Sequence, residues 1–393
     1  MSLRLSAIAF LLGLTIALLG CGEVTTATID AAAGIDAIPT CEPACDVNAT
    51  CTGTTCTCGT GYTGDGVTCA DVNECATANG GCDPNALCTN TAGARTCACL
   101  LGFVGDGLAC QQSWRLVGTF PGVTIDPDNF GAMAIGAGNR VYFANETNTA
   151  ANELFRYFDT TTSTLSPQLT LPPAMPPNTT DFCACGYTQV FISDGTSIFM
   201  LGNFGQRYSV TGNSWSAVST YTGTAQRGES AGVYEPTTGK LLLAGGRGPL
   251  NNAGVFTVST SVFGDEPGVM PFAVDSAKAW ALPGSASVYV AGGYSSDNSR
   301  KHLVRHTVGA TAWESLPDAP MDIGRPLGVG HFGTRLWVAN DSMFMFFNPA
   351  TNAWDRNIGA PPNLKAAAFA AGTAWALSQG LTGLQVYKLE AIE

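Results

Sequence analysis

Twelve of the chain's 15 cysteines lie between residues 41 and 110, in two blocks of six: Cys41, Cys45, Cys51, Cys56, Cys58 and Cys69, then Cys75, Cys82, Cys88, Cys97, Cys99 and Cys110. Each block closes with the same text, Cys-x-Cys-x-x-Gly-aromatic-x-Gly-Asp-Gly-x-x-Cys, around Tyr62 and Phe103. A repeat of about 35 residues is too short to bury a stable core, so covalent cross-links must hold it, and these require an oxidising compartment. Six cysteines allow 15 pairings, and spacing alone leaves all of them open.

The whole chain of 393 residues is poor in charge but unbalanced, with 18 Lys and Arg against 30 Asp and Glu, a net charge of -12. Such a surface repels phosphate backbones and argues against nucleic-acid binding. The 47 Gly and 21 Pro are hard to place in helix interiors, so the chain reads as mainly β and rich in turns. One stretch is continuously apolar, Leu5 to Gly20, and it is shorter than the ~20 residues a spanning helix needs.

That stretch follows Arg4 and has the form of a secretory signal peptide. It ends in Leu18-Leu19-Gly20-Cys21, which resembles the lipobox of bacterial lipoproteins. The resemblance implies that Cys21 is acylated and becomes the mature N-terminus, anchored in a lipid bilayer. Gly22, rather than Asp, after the cysteine implies the outer membrane. Acyl chains on one cysteine anchor stably, since each buried CH₂ contributes ~0.8 kcal/mol. Residues 21–40 show no sustained period and read as a flexible tether. Cys21 also accounts for the odd cysteine count.

The cysteine blocks, residues 41–70 and 71–111, resemble EGF-like domains. The resemblance implies the pairing Cys41–Cys51, Cys45–Cys56, Cys58–Cys69, Cys75–Cys88, Cys82–Cys97 and Cys99–Cys110. In the chain-entropy picture each such bridge is worth roughly 2 to 3 kcal/mol. In the second block Asp71-Val72-Asn73-Glu74-Cys75, with Asn90 two residues after Cys88, resembles the calcium-binding variant. Ca²⁺ takes six to eight oxygens. The family's pattern implies side-chain oxygens from Asp71, Glu74 and Asn90 and backbone carbonyls from Val72, Thr91 and Ala94. Arg95 stands where that family usually carries Phe or Tyr. The first block has no carboxylate in Ala37 to Thr40 and is expected to bind no calcium. Only Ala70 separates the blocks, which implies a calcium-stiffened pair. Extracellular calcium modules bind at ~10⁻⁴ to 10⁻³ M.

Residues 112–393 carry one further cysteine pair, so a hydrophobic core must hold them. Strand-like runs ending in small residues recur at Val141–Asn145, Ile198–Gly202, Leu241–Gly246, Val288–Gly293, Leu336–Asn340 and Trp375–Ser378. Their spacing of roughly 40 to 55 residues, with short strands and Gly turns, selects a β-propeller. Val290-Ala291-Gly292-Gly293 and Asn348-Pro349-Ala350-Thr351-Asn352-Ala353-Trp354 are similar to kelch repeats. Six runs predict six blades, with seven the alternative. The last repeat has no Trp-bearing outer strand, whereas Ser113-Trp114-Arg115-Leu116-Val117 is an outer strand with no blade before it. Joining the two closes the ring and removes an exposed sheet edge.

Cys183 and Cys185 share one strand face and can form a tight disulfide or stay reduced. The three His give no metal-ligand spacing with them. No Gly-x-Ser-x-Gly elbow, His-Glu-x-x-His or phosphate loop occurs, so no catalytic residue is expected. Arg227, Arg325 and Lys365 precede innermost strands, a position that in kelch proteins looks toward the central channel. They are the candidate ligand-binding residues. The expected protein is a cell-surface lipoprotein whose propeller binds a protein or polysaccharide. An enzyme acting on extracellular or envelope glycans is the alternative.

Overall fold

The structure is a computed structural model; it describes residues 41–100, 103–125, 132–145, 154–171, 190–201, 205–219, 228–295, 297 and 300–390. The expected signal peptide, the tether with Cys21, the residues before Cys41, the Cys183/Cys185 pair and Arg227 lie outside the described residues. The chain divides into two compact units, one ending at Val72 and the other beginning at Asn73.

All six disulfides expected in the cystine blocks are present. The Gly-Asp-Gly of the repeated text has a physical cause. In the first module a Cβ on Gly64 would sit 1.9 Å from the Thr68 carbonyl oxygen, and one on Gly66 2.3 Å from that of Cys56. Asp65, between them, accepts hydrogen bonds from the amides of Val67 and Thr68. Gly105, Asp106 and Gly107 repeat the arrangement in the second module. Asp46 and Asp83 form a second pair that the sequence reading passed over. Each accepts the amide two residues on through one oxygen and the amide of its module's last cysteine through the other. These backbone bonds hold both carboxyls below their ordinary range.

The second unit continues from its cystine module into a six-bladed propeller of four-stranded antiparallel sheets. The innermost strands are Ala132–Ala137, Val190–Ser193, Ala231–Glu235, Lys278–Ala281, Gly328–Phe332 and Leu364–Ala370. The six small-residue-ended runs are the second strands of these blades. Small residues recur on the innermost strands because neighbouring blades converge there. A Cβ on Gly136 would lie 1.8 Å from the Phe369 carbonyl oxygen, and one on Gly232 2.0 Å from Val190 Cγ1.

The ring closes as expected. Trp114–Pro121 pairs antiparallel with Gly383–Leu389 and supplies the outermost strand of the sixth blade. The Ser113 carbonyl accepts the amide of Glu390, and Arg115 pairs with Glu390 across the closure. Val104 of the second cystine module packs on the Trp114, Trp337 and Phe344 cluster, so this module is seated on the propeller.

Blades are clasped to their predecessors by outer-strand tryptophans. Trp215, Trp354 and Trp114 each donate an indole N–H to a carbonyl at the exit of the preceding blade: Thr170, Pro317 and Gly359 respectively. The fourth blade does this differently. His306 occupies the place that Tyr208, Phe256 and Phe347 hold in other blades, opposite Trp313 in register and stacked on it at 4.0 Å. Its Nε2 faces Glu266 Oε1 at 2.9 Å, at the exit of the third blade, and its Nδ1 faces the Ala312 carbonyl. Both side chains are essentially sealed from water. Removing one partner of such a pair strands a buried polar group. Glu266→Ala is therefore expected to cost about 3–5 kcal/mol in denaturant unfolding, while Glu266→Leu with His306→Leu is expected to be far milder.

Candidate functional site

Of the expected calcium ligands, Asp71 ends the strand Cys69–Asp71 opposite Tyr62, and the amide of Val72 donates to Gly61. In the second unit Glu74 opens a single 3₁₀ turn directly after Asn73. Asn90 and Thr91 end one strand of a hairpin, and Ala94 faces Thr91 across it. The Thr91 hydroxyl donates to the Ala94 carbonyl at 2.8 Å, which leaves the carbonyl a second lone pair. Glu74 Oε2 is buried and has no hydrogen-bond partner. A carboxylate oxygen withdrawn from water without a donor is costly, so the residues fit a hard cation at that point. The side chain of Arg95 packs against Gly80 and Gly81. A Cβ on Gly80 would meet its Cδ at 2.5 Å. Among the described residues, the one cluster spaced for a metal is Cys41, Cys45 and Cys51, whose sulfurs are consumed by disulfides.

The hub of the propeller holds a cavity of about 310 Å³ lined by all six innermost strands. Its wall is mostly apolar, with Ile192, Val233 and Val329 from three different blades. His331 and Tyr234 lie toward the end where the strands finish. Burial holds His331 below its ordinary value, so it lines the hub as a neutral ring, packed on Phe369 at 4.0 Å.

The opposite mouth, where the innermost strands begin, carries the charge. A niche of about 40 Å³ there is lined by Glu229, Ser230, Ser276, Lys278 and Arg325 beside Met133, Val190 and Phe191. It shares Phe191, Gly232 and Lys278 with the hub cavity, so the two spaces adjoin. Glycine pairs brace the entry loops beside this mouth. Gly245-Gly246 ends the third blade's second strand, and the Gly246 amide bonds to Val274 in the loop entering the fourth blade. Gly245, at φ +71, has no room for a side chain, because a Cβ would lie 2.4 Å from the Val274 carbonyl oxygen. Gly293 bonds to Gly324 in the next entry in the same way. Glu229 and Ser276 both adopt left-handed backbone conformations and are tied by a 2.7 Å bond from the Ser276 amide to the Glu229 carbonyl. Asp275, next to this tie, has its carboxyl raised, first by burial and then by the charge of Glu229, with Arg325 and Arg247 opposing.

Of the basic residues singled out from the sequence, Arg325 is at this mouth. Lys365 is not among the residues lining the niche or the hub. It is the second residue of the sixth blade's innermost strand, at a register shift between Leu364 and Ala366. Glu229, Asp275 and Lys278 were missed. Glu229 lies at the entry to the third blade and Asp275 and Lys278 at the entry to the fourth, and they share no local motif.

An EGF-domain family profile matches residues 75–110, the second cystine module. No curated protein sequence matches the chain. Among solved structures, that of YjhT is similar at 13% identity and a TM-score of 0.41, over 49% of this chain and 73% of that one.

The raised carboxyl of Asp275 has a definite sign. A group that holds its proton more tightly when folded contributes stability below its unfolded value of about 3.9, lost as pH rises through the folded one. Asp275→Asn is therefore expected to raise the melting temperature at pH 7, and the gain to shrink as the pH approaches 4, read by calorimetry across that range.

Proposed function

We propose that this is a recognition protein displayed on the outer face of a bacterial envelope, anchored through acylated Cys21 and carrying its binding site at the propeller hub. The observation that carries this reading is the hub itself, an apolar cavity reached through a mouth that gathers Lys278, Arg325 and Glu229. Concave apolar pockets with a few convergent polar groups are where ligands bind. The kelch-like Gly pairs support the reading, since they brace the entry loops beside that mouth. A protein or polysaccharide would present a terminal unit to the hub, because the cavity lies at the small end of the ~300–1,000 Å³ range of ligand pockets. A glycan and peptide array probed with the mature chain is expected to give signals that fall about ten-fold in Val233→Trp, which plugs the hub. Retention of every signal by the plugged variant, with an unchanged melting curve, would overturn the reading.

The second cystine module is proposed to hold Ca²⁺ through Glu74, Asn90 and the carbonyls of Thr91 and Ala94, with Asp71 and Val72 completing the motif. The support is the stranded Glu74 oxygen. The ion supplies positive charge to oxygens otherwise withdrawn from water, and at ten times Kd it would add about 1.4 kcal/mol of stability. Calcium is expected to raise the melting temperature of the mature chain reversibly with chelator, and Glu74→Gln to abolish most of that shift.

A second reading, an enzyme acting on envelope glycans, is favoured by one observation. Asp275 has its carboxyl raised by burial, and a raised carboxyl beside a cleft is a candidate for an acid–base role.

A further inference from the structure

We propose that His302 is a proton-operated latch on the loops at the propeller's mouth, closed when its imidazole carries both protons and open when it carries one. His302 stands just before the third strand of the fourth blade, Leu303–Thr307. Its Nε2 lies 2.8 Å from Asp297 Oδ2 and its Nδ1 3.1 Å from Asp318 Oδ1. An ionised carboxylate only accepts, so both contacts are hydrogen bonds only when both ring nitrogens donate. A neutral ring has one bare nitrogen, whose lone pair would face a carboxylate. The ring also stacks on Phe272 with centroids 3.8 Å apart, and an aromatic face favours a cation over it. Of the His302 side chain 14% is exposed, against 51% and 54% for Asp297 and Asp318. The ring is held between loops while the aspartates border water, so on loss of the proton it is a carboxylate that turns away to solvent.

Three segments meet at this ring. Phe272 belongs to the entry of the fourth blade, Asp318 to the entry of the fifth, and Asp297 to the insert between the fourth blade's second and third strands. Asp297 and Asp318 are the charged groups that face the ring from these segments; Phe272 is uncharged, and Arg300 lies instead over Tyr294, 4.8 Å from its centroid. The insert reaches the niche from both sides. Tyr294 and Ser295 pair with Asp275 and Val274 in a short ribbon, and the Ser295 hydroxyl donates to Asp297. The Gly293 amide bonds to Gly324, next to Arg325. His302 thus joins the loop that brings Ser276 and Lys278 to the niche with the loop that brings Arg325. The amides of Ala319 and Ile323 bond to the carbonyls of Lys301 and Arg300 at any protonation state, so the latch changes how tightly the loops are held and not whether the blades stand. Histidine is the side chain whose charge ordinarily changes between about pH 5 and 8. The latch's contribution is therefore present at the acid end of that range and lost as the pH rises.

The test is hydrogen exchange of the mature chain, read by mass spectrometry at about pH 5 and about pH 8 and corrected for the intrinsic pH dependence of amide exchange. Peptides covering Phe272 to Ser276 and Pro317 to Ile323 are expected to be about five-fold better protected at the acid pH, the most that a partly exposed ion pair supplies. The strand Thr373–Gln379, far from the latch in sequence and in the sixth blade, is expected to show no such difference. His302→Gln is expected to give the weaker protection at both pH values. Asp297→Asn with Asp318→Asn, which keeps the ring and removes the charge of its acceptors, is expected to do the same. Equal protection of the two loops at both pH values in the unaltered chain would overturn the proposal whatever the variants do. So would a difference that survives in His302→Gln, the pattern expected if the raised carboxyl of Asp275 were the group responsible.

Discussion

The propeller depends on one strand pairing, that of Trp114–Pro121 with Gly383–Leu389. Five blades are built from consecutive chain, each sheet complete in itself, and they would leave an open array with two raw edges. The sixth borrows its outer strand from the start of the domain, so the ends of about 280 residues must meet before the sixth sheet is complete and the first and sixth blades become neighbours. Trp114 serves twice at this seam. It pairs with Leu389 in the ladder and donates its indole N–H to Gly359 of the fifth blade. Closure also fixes the hub, since the six innermost strands bound a cavity only when the ring is complete. The second cystine module enters along the same strand, which is why Val104 finds its place on the fifth and sixth blades.

The clasps between blades show how loosely a repeat needs to conserve chemistry to conserve geometry. Three blades reach back with a tryptophan N–H to a carbonyl, and the fourth reaches back with an imidazole to a carboxylate. Both place a donor from one blade's outer half on an acceptor at the previous blade's exit. The polar version is the more fragile, because its parts cannot be left alone in a dry interface.

What the sequence made legible was whatever is local. The blade count follows from runs a few residues long repeated at fixed intervals, and the disulfide pairing from the resemblance of the cysteine blocks to EGF-like domains. The borrowed strand was legible because an outer strand stood without a blade at one end and a blade without an outer strand at the other. The mouth of the hub was not legible in the same way. Arg325 was reached by its place before an innermost strand, but the same rule chose Lys365, which a register shift carries onto the strand itself. Glu229 and Lys278 lie 49 residues apart along the chain, one at the entry to the third blade and the other opening the innermost strand of the fourth. The packing of successive blades brings them, with Arg325 at the entry to the fifth, to one niche. Asp46 and Asp83 were hidden for a different reason. Each bonds a backbone amide, and an amide donor leaves no trace in residue type.

The charge of the whole chain bears on what such a mouth can collect. At -12 the protein's distant field disfavours anions, and at physiological salt that field fades over about 8 Å. Lys278 and Arg325 therefore act on a ligand only once it has reached the niche. A free anion would approach against the long-range field and then meet Glu229. A polycation would be drawn to the surface broadly, with no preference for the hub. The arrangement thus confines selectivity to the last few ångströms, where the apolar cavity behind the mouth can add its own discrimination by shape.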